Sequence, residues 1–377
     1  MADRVRVAVF LHRGQDVRHW RARFAHGASL DRTPYGYDRA ERWFDLTWAE
    51  SPPDTRLGRA LARWSMRLLG CDLPHAWHNR RLLRTADVVW THTEREHLAV
   101  ALLQWLRPGR RRVPVLAQSV WLWDRWASAG PLRRWLTAGL LRTHAVELVH
   151  SRLNLADSRA AVPGRRVELV PFGSAPAVLS AAAAARAAEP ARPLVLSVGN
   201  DADRDWTLLA SVASMIPGAD FRVASRSRAA HAVAWPSNVT VRPAESTAEL
   251  SELYTAAAAV AVPLRPNRHA SGATVCIEGL AAGCRIVATR AGGIEDYLGP
   301  QGRTAEPGDV AGFASALEAA LHHDFPAPGP QAYLDRGLTQ ADYVGRYVLV
   351  TRAVLGAAPW DPRISEFAPV GVLDEPH

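Results

Sequence analysis

Short apolar runs alternate with amphipathic stretches along most of the chain. Val5–Leu11, Val88–His92, Val113–Ala117, Val146–His150 and Val167–Pro171 are strand-length runs rich in apolar and β-branched residues. Arg56–Leu69 and Glu96–Leu106 lie between them with helical spacing. A second series starts at Leu194–Val198, followed by a helix at Trp206–Met215. Strands are then predicted at Phe221–Ala224, Val239–Arg242, Ala259–Pro263 and Arg285–Thr289, with helices at Ala248–Ala256 and Val310–Leu321. Gln340–Leu355 predicts a helix near the C-terminus, and the tail from Pro359, with four prolines, reads as partly loose. Such alternation implies parallel sheets with helices on both faces, whose ligands bind beyond the carboxyl ends of the strands. The Ala-rich stretch Ser180–Pro193 interrupts the pattern. A short helix would suit its composition, but its place between two α/β blocks favours an interdomain connector. The expected organisation is a domain over residues 1–178, a linker over 179–192, a second domain over 193–335, and a helix and tail over 336–377, with a cleft between the domains.

A length of 377 residues suits two domains, and 48% hydrophobic with 22% charged residues is a globular composition. Cys71, Cys276 and Cys284 have no metal spacing and imply no disulfide framework, so a reducing cytoplasm is the expected location. The N-terminal apolar run is too short for a signal peptide and reads as a first buried strand; no run is long enough to span a membrane. All 45 basic residues are arginine, which with the abundant alanine points to a GC-rich bacterial genome. Residues 1–175 hold 29 Arg against 16 Asp and Glu, a balance of +13; the rest hold 16 against 21, a balance of −5. Eleven of the 14 Trp also lie in the first part. A basic, Trp-rich domain beside an acidic one predicts an anionic acceptor or an anionic membrane surface as partner, the latter at the inner face of a membrane. His12–Tyr37 and the stretch with Trp121, Trp123, Trp126, Arg133, Arg134, Trp135 and Arg142 are the segments that suggest it; an ordinary core with solvated arginines accounts for them equally well.

The most specific chemistry lies in Pro263–Tyr297. A Ser271-Gly272 turn opens a short predicted helix carrying Glu278, and Arg285–Thr289 leads to a second small turn, Ala291-Gly292-Gly293. Free amides and the positive dipole end at a helix start suit a phosphate. A carboxylate further along can accept hydrogen bonds from ribose hydroxyls. Ile277 and Leu280 beside Glu278 indicate a buried face, where an unpaired carboxylate is costly.

These residues resemble the donor-site signature of the retaining GT-B glycosyltransferases that use nucleotide sugars, the group with two glutamates separated by seven residues. Glu278, Ala281, Ala282, Gly283, Val287, Thr289, Gly292 and Gly293 match its second half. The first Glu is replaced by Ala270, and Ala270-Ser271-Gly272-Ala273-Thr274 is similar to an Ala-Ser-Gly-x-Thr variant of the pattern. VELVPFG at Val167–Gly173 resembles the family's strand and turn before the linker. The resemblance implies an α/β chain of GT-B architecture, two Rossmann-like parallel-sheet domains facing a cleft, with the last helix crossing back to the first domain. It implies transfer of a hexose-type sugar from a nucleotide diphosphate sugar, with retention, to a glycan, lipid-linked or small-molecule acceptor.

On that resemblance Gly199, Asn200, Arg204, Ser271, Gly272, Ala273 and Thr274 would hold the diphosphate, Glu278 the ribose, and Arg226 the base or phosphate. Asn200 stands where Arg is commoner in the family, and Arg204 can also be read as an exposed residue near a helix start. Glu245-Ser246-Thr247 borders the base or caps the next helix. His269, beside the missing Glu, together with His92 and Asp124 in the first domain, are the candidates for contact with sugar or acceptor; Ser119 stands where the family often has a histidine. No metal is expected, since no paired carboxylates suit one, and the nucleotide sugar is the co-substrate. The alternative is a non-catalytic nucleotide-sugar-binding or partner subunit, suggested by the lost Glu. A sugar-nucleotide epimerase is a rival on the same fold; a phosphorylase is excluded because its pyridoxal-linked lysine has no counterpart in a chain without lysine. No motif supports nucleic-acid binding.

Overall fold

The computed structural model describes residues 4–27, 29–107, 109, 111–176, 192–329 and 331–371. The expected connector over 179–192 falls outside them except for Arg192. The chain divides into two compact units. The first takes the residues up to Pro171, Gln340–Glu366 and those from Val370 on; the second takes Phe172–Thr339 and Phe367–Pro369.

The first unit is built on a parallel sheet of β1 (Arg6–Phe10), β2 (Asp45–Trp48), β3 (Val88–Thr91), β4 (Val115–Gln118), β5 (Val146–Val149) and β6 (Val167–Leu169), in the order β2-β1-β3-β4-β5-β6. Strands β3, β4 and β5 are buried at every position, as a parallel sheet covered on both faces requires. That burial is why they read as mostly apolar runs, the buried Glu147 of β5 being paired with Arg165. β2 escapes the pattern because it lies at the edge, where DLTW alternates between exposed and half-buried positions. Helices Val17–Ala25 and Arg152–Ala161 also go unannounced; the first buries only Val17, the second only Asn154 and Ser158. Helix Glu94–Trp105 starts two residues earlier than its apolar spacing indicates. Its start is fixed by a capping box, in which Glu96 accepts from the Thr93 amide at 2.9 Å and the Thr93 hydroxyl at 2.6 Å.

Helix Gln340–Val354 belongs to this first unit and is buried along most of its length. The Trp90 indole of β3 donates to Thr351 Oγ1 at 2.9 Å, and Tyr343 and Tyr347 both donate to Gln118 of β4. The segment after the helix is less loose than its prolines suggest. Ile364 and Val370 are buried, and the Val370 amide donates to Asp342 at 2.7 Å.

The second unit has its own parallel sheet: β7 (Leu194–Val198), β8 (Asp220–Ala224), β9 (Val239–Val241), β10 (Ala257–Val262), β11 (Arg285–Thr289) and β12 (Arg303–Ala305). Its order, β12-β11-β10-β7-β8-β9, is that of a doubly wound dinucleotide-type sheet, with the direction of winding reversing between β7 and β10. The edge strands β9 and β12 have three residues each. β12, RTA, escapes the pattern because Ala305 is its one buried position and it carries no apolar run. Helices Trp206–Met215 and Val310–Leu321 pack Leu209, Val212, Phe313 and Leu317 into one core cluster with Val195 of β7 and Val287 of β11.

The Trp90–Thr351 hydrogen bond is fully buried. Thr351→Val keeps the shape but strands the indole N–H. The expected cost is about 1–3 kcal/mol, read as a lower urea midpoint, with Thr351→Ser affected less. A valine variant with the midpoint of the parent protein would refute this role.

Candidate functional site

Most of the residues singled out in the second unit gather at the reversal point between β7 and β10. The loop after β7 is Gly199-Asn200-Asp201-Ala202-Asp203-Arg204, and it runs against the segment that leaves β10. The Arg265 amide donates to the Asp203 carbonyl at 2.7 Å, the Asp205 amide donates to the Pro263 carbonyl at 3.1 Å, and Arg204 forms a bridge with Leu264. Asp205 then caps helix Trp206–Met215 by accepting from the Leu208 amide. The sheet order therefore sets the two loops side by side, and these hydrogen bonds fix their register.

Arg204 is not the exposed residue that a position near a helix start suggests; it is 3% exposed. Its Nε lies 3.1 Å from Asp201 Oδ2, yet neither Nε nor Nη1 has a hydrogen-bond partner among the described residues. The guanidinium occupies space left by two glycines. A Cβ on Gly199 would collide with Nε, and one on Gly272 would come within 2.8 Å of Nη1 and 2.7 Å of Val262 Cγ1. Gly272 also has φ +85° and is the N-cap of helix Ala273–Ala281. The first helical amide bond there is Cys276 N to Gly272 O, and the Ala273 amide bonds the Ala270 carbonyl at 3.1 Å, so what the helix start offers beside the guanidinium is chiefly its positive dipole end. A buried, partly unpaired cation thus adjoins the positive end of a helix, the arrangement that suits an anion.

The turn before the helix is held from three sides. Ser271 Oγ donates to Asp201 Oδ1 at 3.0 Å, and the Ala270 amide donates to the Gly292 carbonyl at 2.9 Å. The Ser271 amide bonds Asn267 Oδ1 at 3.4 Å. Gly292 permits this approach: it has φ +67°, and a Cβ there would clash with Asn267 Oδ1 and stand 2.7 Å from the Ala270 nitrogen. Ala270 itself has φ +44°, uncommon for a residue with a side chain. His269 is nearly buried, with Nε2 3.5 Å from Asp203 Oδ2.

Thr274 is exposed on the first turn of the helix, and Glu278 lies one turn further along, half-buried. Tyr254 Oη donates to Glu278 Oε2 at 2.6 Å. Burial pushes the Glu278 carboxyl up to about 7, with the Tyr254 hydrogen bond acting in the opposite direction. Asn200 ties the β7 loop to the end of β8, its Oδ1 accepting from the Arg226 amide at 2.7 Å. The Arg226 side chain is exposed and reaches the Ala244 carbonyl. Ser246 accepts from the Glu249 amide, so it is the cap of helix Thr247–Ala256. Gly199, Asn200, Arg204, Arg226, His269, Ser271, Gly272, Ala273, Thr274 and Glu278 all lie in this unit, on the loops after β7, β8 and β10 or on the helix that follows. Asp201, Tyr254 and Asn267 are supporting residues that the sequence did not single out. Asn267 carried no signal, while Tyr254 sat on the apolar side of a predicted helix.

His92 and Asp124 belong to the first unit. His92 follows β3 and is buried under Tyr35, whose ring stacks on it at 3.4 Å. Tyr37 Oη lies 3.1 Å from its Nδ1. Burial, and then the neighbouring His150 and His12, hold the imidazole well below the usual histidine range. Tyr37, Gln118, His150 and Tyr343 complete this cluster, whose members lie too far apart along the chain to be grouped from the sequence. Asp124 is half-buried in the turn after β4. Ser119 is buried against His97, its hydroxyl 3.1 Å from Nε2. Trp123 is a core residue, its indole donating to Glu147 at 3.0 Å, rather than part of an exposed surface.

No curated protein matches the chain by sequence. Solved structures resemble it over nearly its whole length. Sucrose-phosphate synthase from Thermosynechococcus elongatus superposes with a TM-score of 0.65 at 16% identity, covering 94% of this chain and 100% of that one. Anabaena HepE, solved in complex with UDP and glucose, gives 0.60 at 12% identity over 92% and 99%. WaaG, a glycosyltransferase involved in lipopolysaccharide biosynthesis, gives 0.53 at 17% identity over 91% and 94%. The fold is accordingly that of the GT-B glycosyltransferase structures, with two Rossmann-like units each on a parallel six-stranded sheet. Residues 193–323 match the family model for Glycosyl transferases group 1, and with the fold this supports a GT-B glycosyltransferase.

Proposed function

We propose that the protein moves a hexose from a nucleoside diphosphate sugar to an acceptor, with retention at the anomeric carbon. The observation that carries this reading is Arg204, a nearly buried guanidinium whose Nε and Nη1 lack hydrogen bonds among the described residues, beside the N-terminus of helix Ala273–Ala281. The match of residues 193–323 supports the activity, and the complexes of the Anabaena relative with UDP and UDP-glucose support a uridine nucleotide.

Arg204, the Gly272 and Thr274 amides and the Ser271 and Thr274 hydroxyls hold the diphosphate. Glu278 accepts the ribose hydroxyls, with Tyr254 fixing its carboxylate, and Arg226 borders the base. In the transfer step the bond from the anomeric carbon to the diphosphate oxygen breaks, and a bond from that carbon to the acceptor oxygen forms on the same face. The acceptor proton passes to the departing phosphate oxygen. Charge develops on the diphosphate as it leaves, and Arg204 with the helix N-terminus stabilises it there in place of a divalent cation. His269 orients the sugar and Asp124 contacts the acceptor, while His92, covered by Tyr35, reaches the acceptor only if that ring moves aside. Ala270, where the resembling family has a carboxylate, favours one other reading, a nucleotide-sugar-binding subunit without turnover. Sugar transfer or donor hydrolysis by the purified protein decides between them.

Two measurements test the donor site. Arg204→Met should weaken UDP binding by about 10–100-fold in calorimetry. It should leave the melting temperature of the nucleotide-free protein unchanged or raised, because a partly unpaired buried charge is removed. Parent-like affinity would overturn the assignment.

Glu278 has a raised value in the folded protein, so stability contributed by the neutral carboxyl is full below its ordinary value of 4.5 and is lost as pH rises through about 7. The ionised form is the better acceptor for ribose hydroxyls. Affinity for UDP-glucose, whose diphosphate does not titrate in this range, should therefore fall as pH is lowered from about 8 to 6. Glu278→Gln should bind weakly at both values, without that dependence, and melt at a higher temperature than the parent at pH near 8. A parent protein with the same affinity across the range would refute the ribose role.

A further inference from the structure

Helix Arg56–Leu68, RLGRALARWSMRL, places Leu57, Leu61, Trp64 and Leu68 at i, i+4, i+7 and i+11. That spacing ordinarily marks the stripe a helix turns to the core. Here the stripe faces out: the four side chains are 69%, 47%, 62% and 54% exposed. The inward side consists of Gly58, Ala62, Ser65 and Met66, and only Ser65 is fully buried, donating to the Cys71 carbonyl at 2.7 Å. The bulky apolar residues are therefore left without a partner, and the small ones make the contact with the unit.

A second stripe runs along one side of the first. Arg56, Arg59, Arg63 and Arg67 follow at i, i+3, i+7 and i+11, all exposed, and the helix holds no acidic residue. Arg59 pairs with the exposed Asp54, whereas Arg56, Arg63 and Arg67 have no ion-pair partner among the described residues. Leu132 and Trp135, 75% and 73% exposed on helix Pro131–Leu141, add to the apolar surface. They flank Arg133, whose guanidinium reaches Gly70, two residues past the end of the first helix.

We infer that helix Arg56–Leu68 lies in the headgroup layer of an anionic lipid bilayer, with its Leu and Trp stripe in the acyl boundary and its arginines on lipid phosphates. Charge selects this occupant. A second copy docked on the same face would set four arginines against four arginines with no carboxylate in the helix to answer them. An anionic bilayer accommodates both stripes at once, and the balance of +13 over residues 1–175 adds to the attraction. No helix among the described residues is long and apolar enough to cross a membrane, so the contact is one of lying on the surface. This inference goes beyond the donor site and does not depend on it.

The test is co-sedimentation of the full-length protein with phosphatidylcholine vesicles, with and without phosphatidylglycerol. Binding is expected only with the anionic lipid, released by salt at about 1 M. A double variant, Leu61→Glu with Trp64→Glu, should bind these vesicles about tenfold or more weaker. Both positions are exposed, so its melting temperature and its stabilisation by UDP should match the parent protein, which keeps this result separate from any failure of the donor site. The inference is overturned if the parent protein does not sediment with anionic vesicles, or if the double variant sediments equally well. It is also overturned if sedimentation velocity shows a dimer of the parent protein that the double variant abolishes, which would assign the face to a second copy.

Discussion

Arg204 carries a full charge into a position 3% exposed, where among the described residues Asp201 is its one carboxylate partner. A guanidinium is tolerable there only if its nitrogens find acceptors, and a buried charge without them is expensive. Much of the surrounding geometry follows from housing this group. Gly199 and Gly272 give up the space that side chains would fill, and Asp201 answers Nε while also accepting from Ser271. The helix that starts beside the guanidinium adds positive potential to positive charge, which makes sense energetically when an anion completes the set. The sheet order underlies all of it. Only where β7 and β10 are neighbours do the loops leaving them meet, and that adjacency is a property of the whole unit.

The turn at Ala270 shows how closely the backbone itself is specified. A left-handed residue with a side chain, a left-handed glycine two positions later, and a second glycine turn pressed against them are all disfavoured locally. They persist because the Ala270 amide, the Ser271 hydroxyl and the Ser271 amide each have a partner in a different part of the unit. Strain of this kind keeps the first helical turn pre-formed, so a bound anion need not order it. With Ala at position 270, this turn presents no carboxylate of its own. On the proposed reading, the sugar end of the donor is then met mainly by His269 and by the charge gathered at the diphosphate.

What could be read in advance follows burial. β3, β4, β5, β7 and β11 are buried at most or all positions, so their sequences are mostly apolar and stand out. Edge strands β2 and β12 and the sparsely buried helix Val17–Ala25 carry ordinary polar sequences and do not. In the site, glycines and the helix start were legible because close approach and positive φ leave few alternatives to glycine. Tyr254, Asn267 and the tyrosine–histidine cluster around His92 were not, because their roles come from long-range neighbours. Tyr37 and Tyr343, for example, are separated by 306 positions and meet at 3.2 Å. The same limit divides the Arg–Trp stretch, where Trp123 is core and Trp135 is 73% exposed, while the Leu57–Leu68 stripe had the spacing of an ordinary buried face.

That stripe and Arg204 are two outcomes of one rule applied to a chain whose only basic side chain is arginine. A guanidinium is planar, remains charged in any surroundings, and gives up hydration more readily than an ammonium. Enclosed by β7 and β10 loops, with one carboxylate and two glycines around it, it becomes a fixed recognition group with few conformations to lose. Set in a row of four beside exposed leucines and a tryptophan, it keeps its water and its freedom, and its effect is collective and open to screening by salt. Side-chain chemistry is the same in both places. The difference lies in how far the fold withdraws the group from solvent, and on the two proposed readings it separates a buried, specific anion site from an exposed, diffuse one.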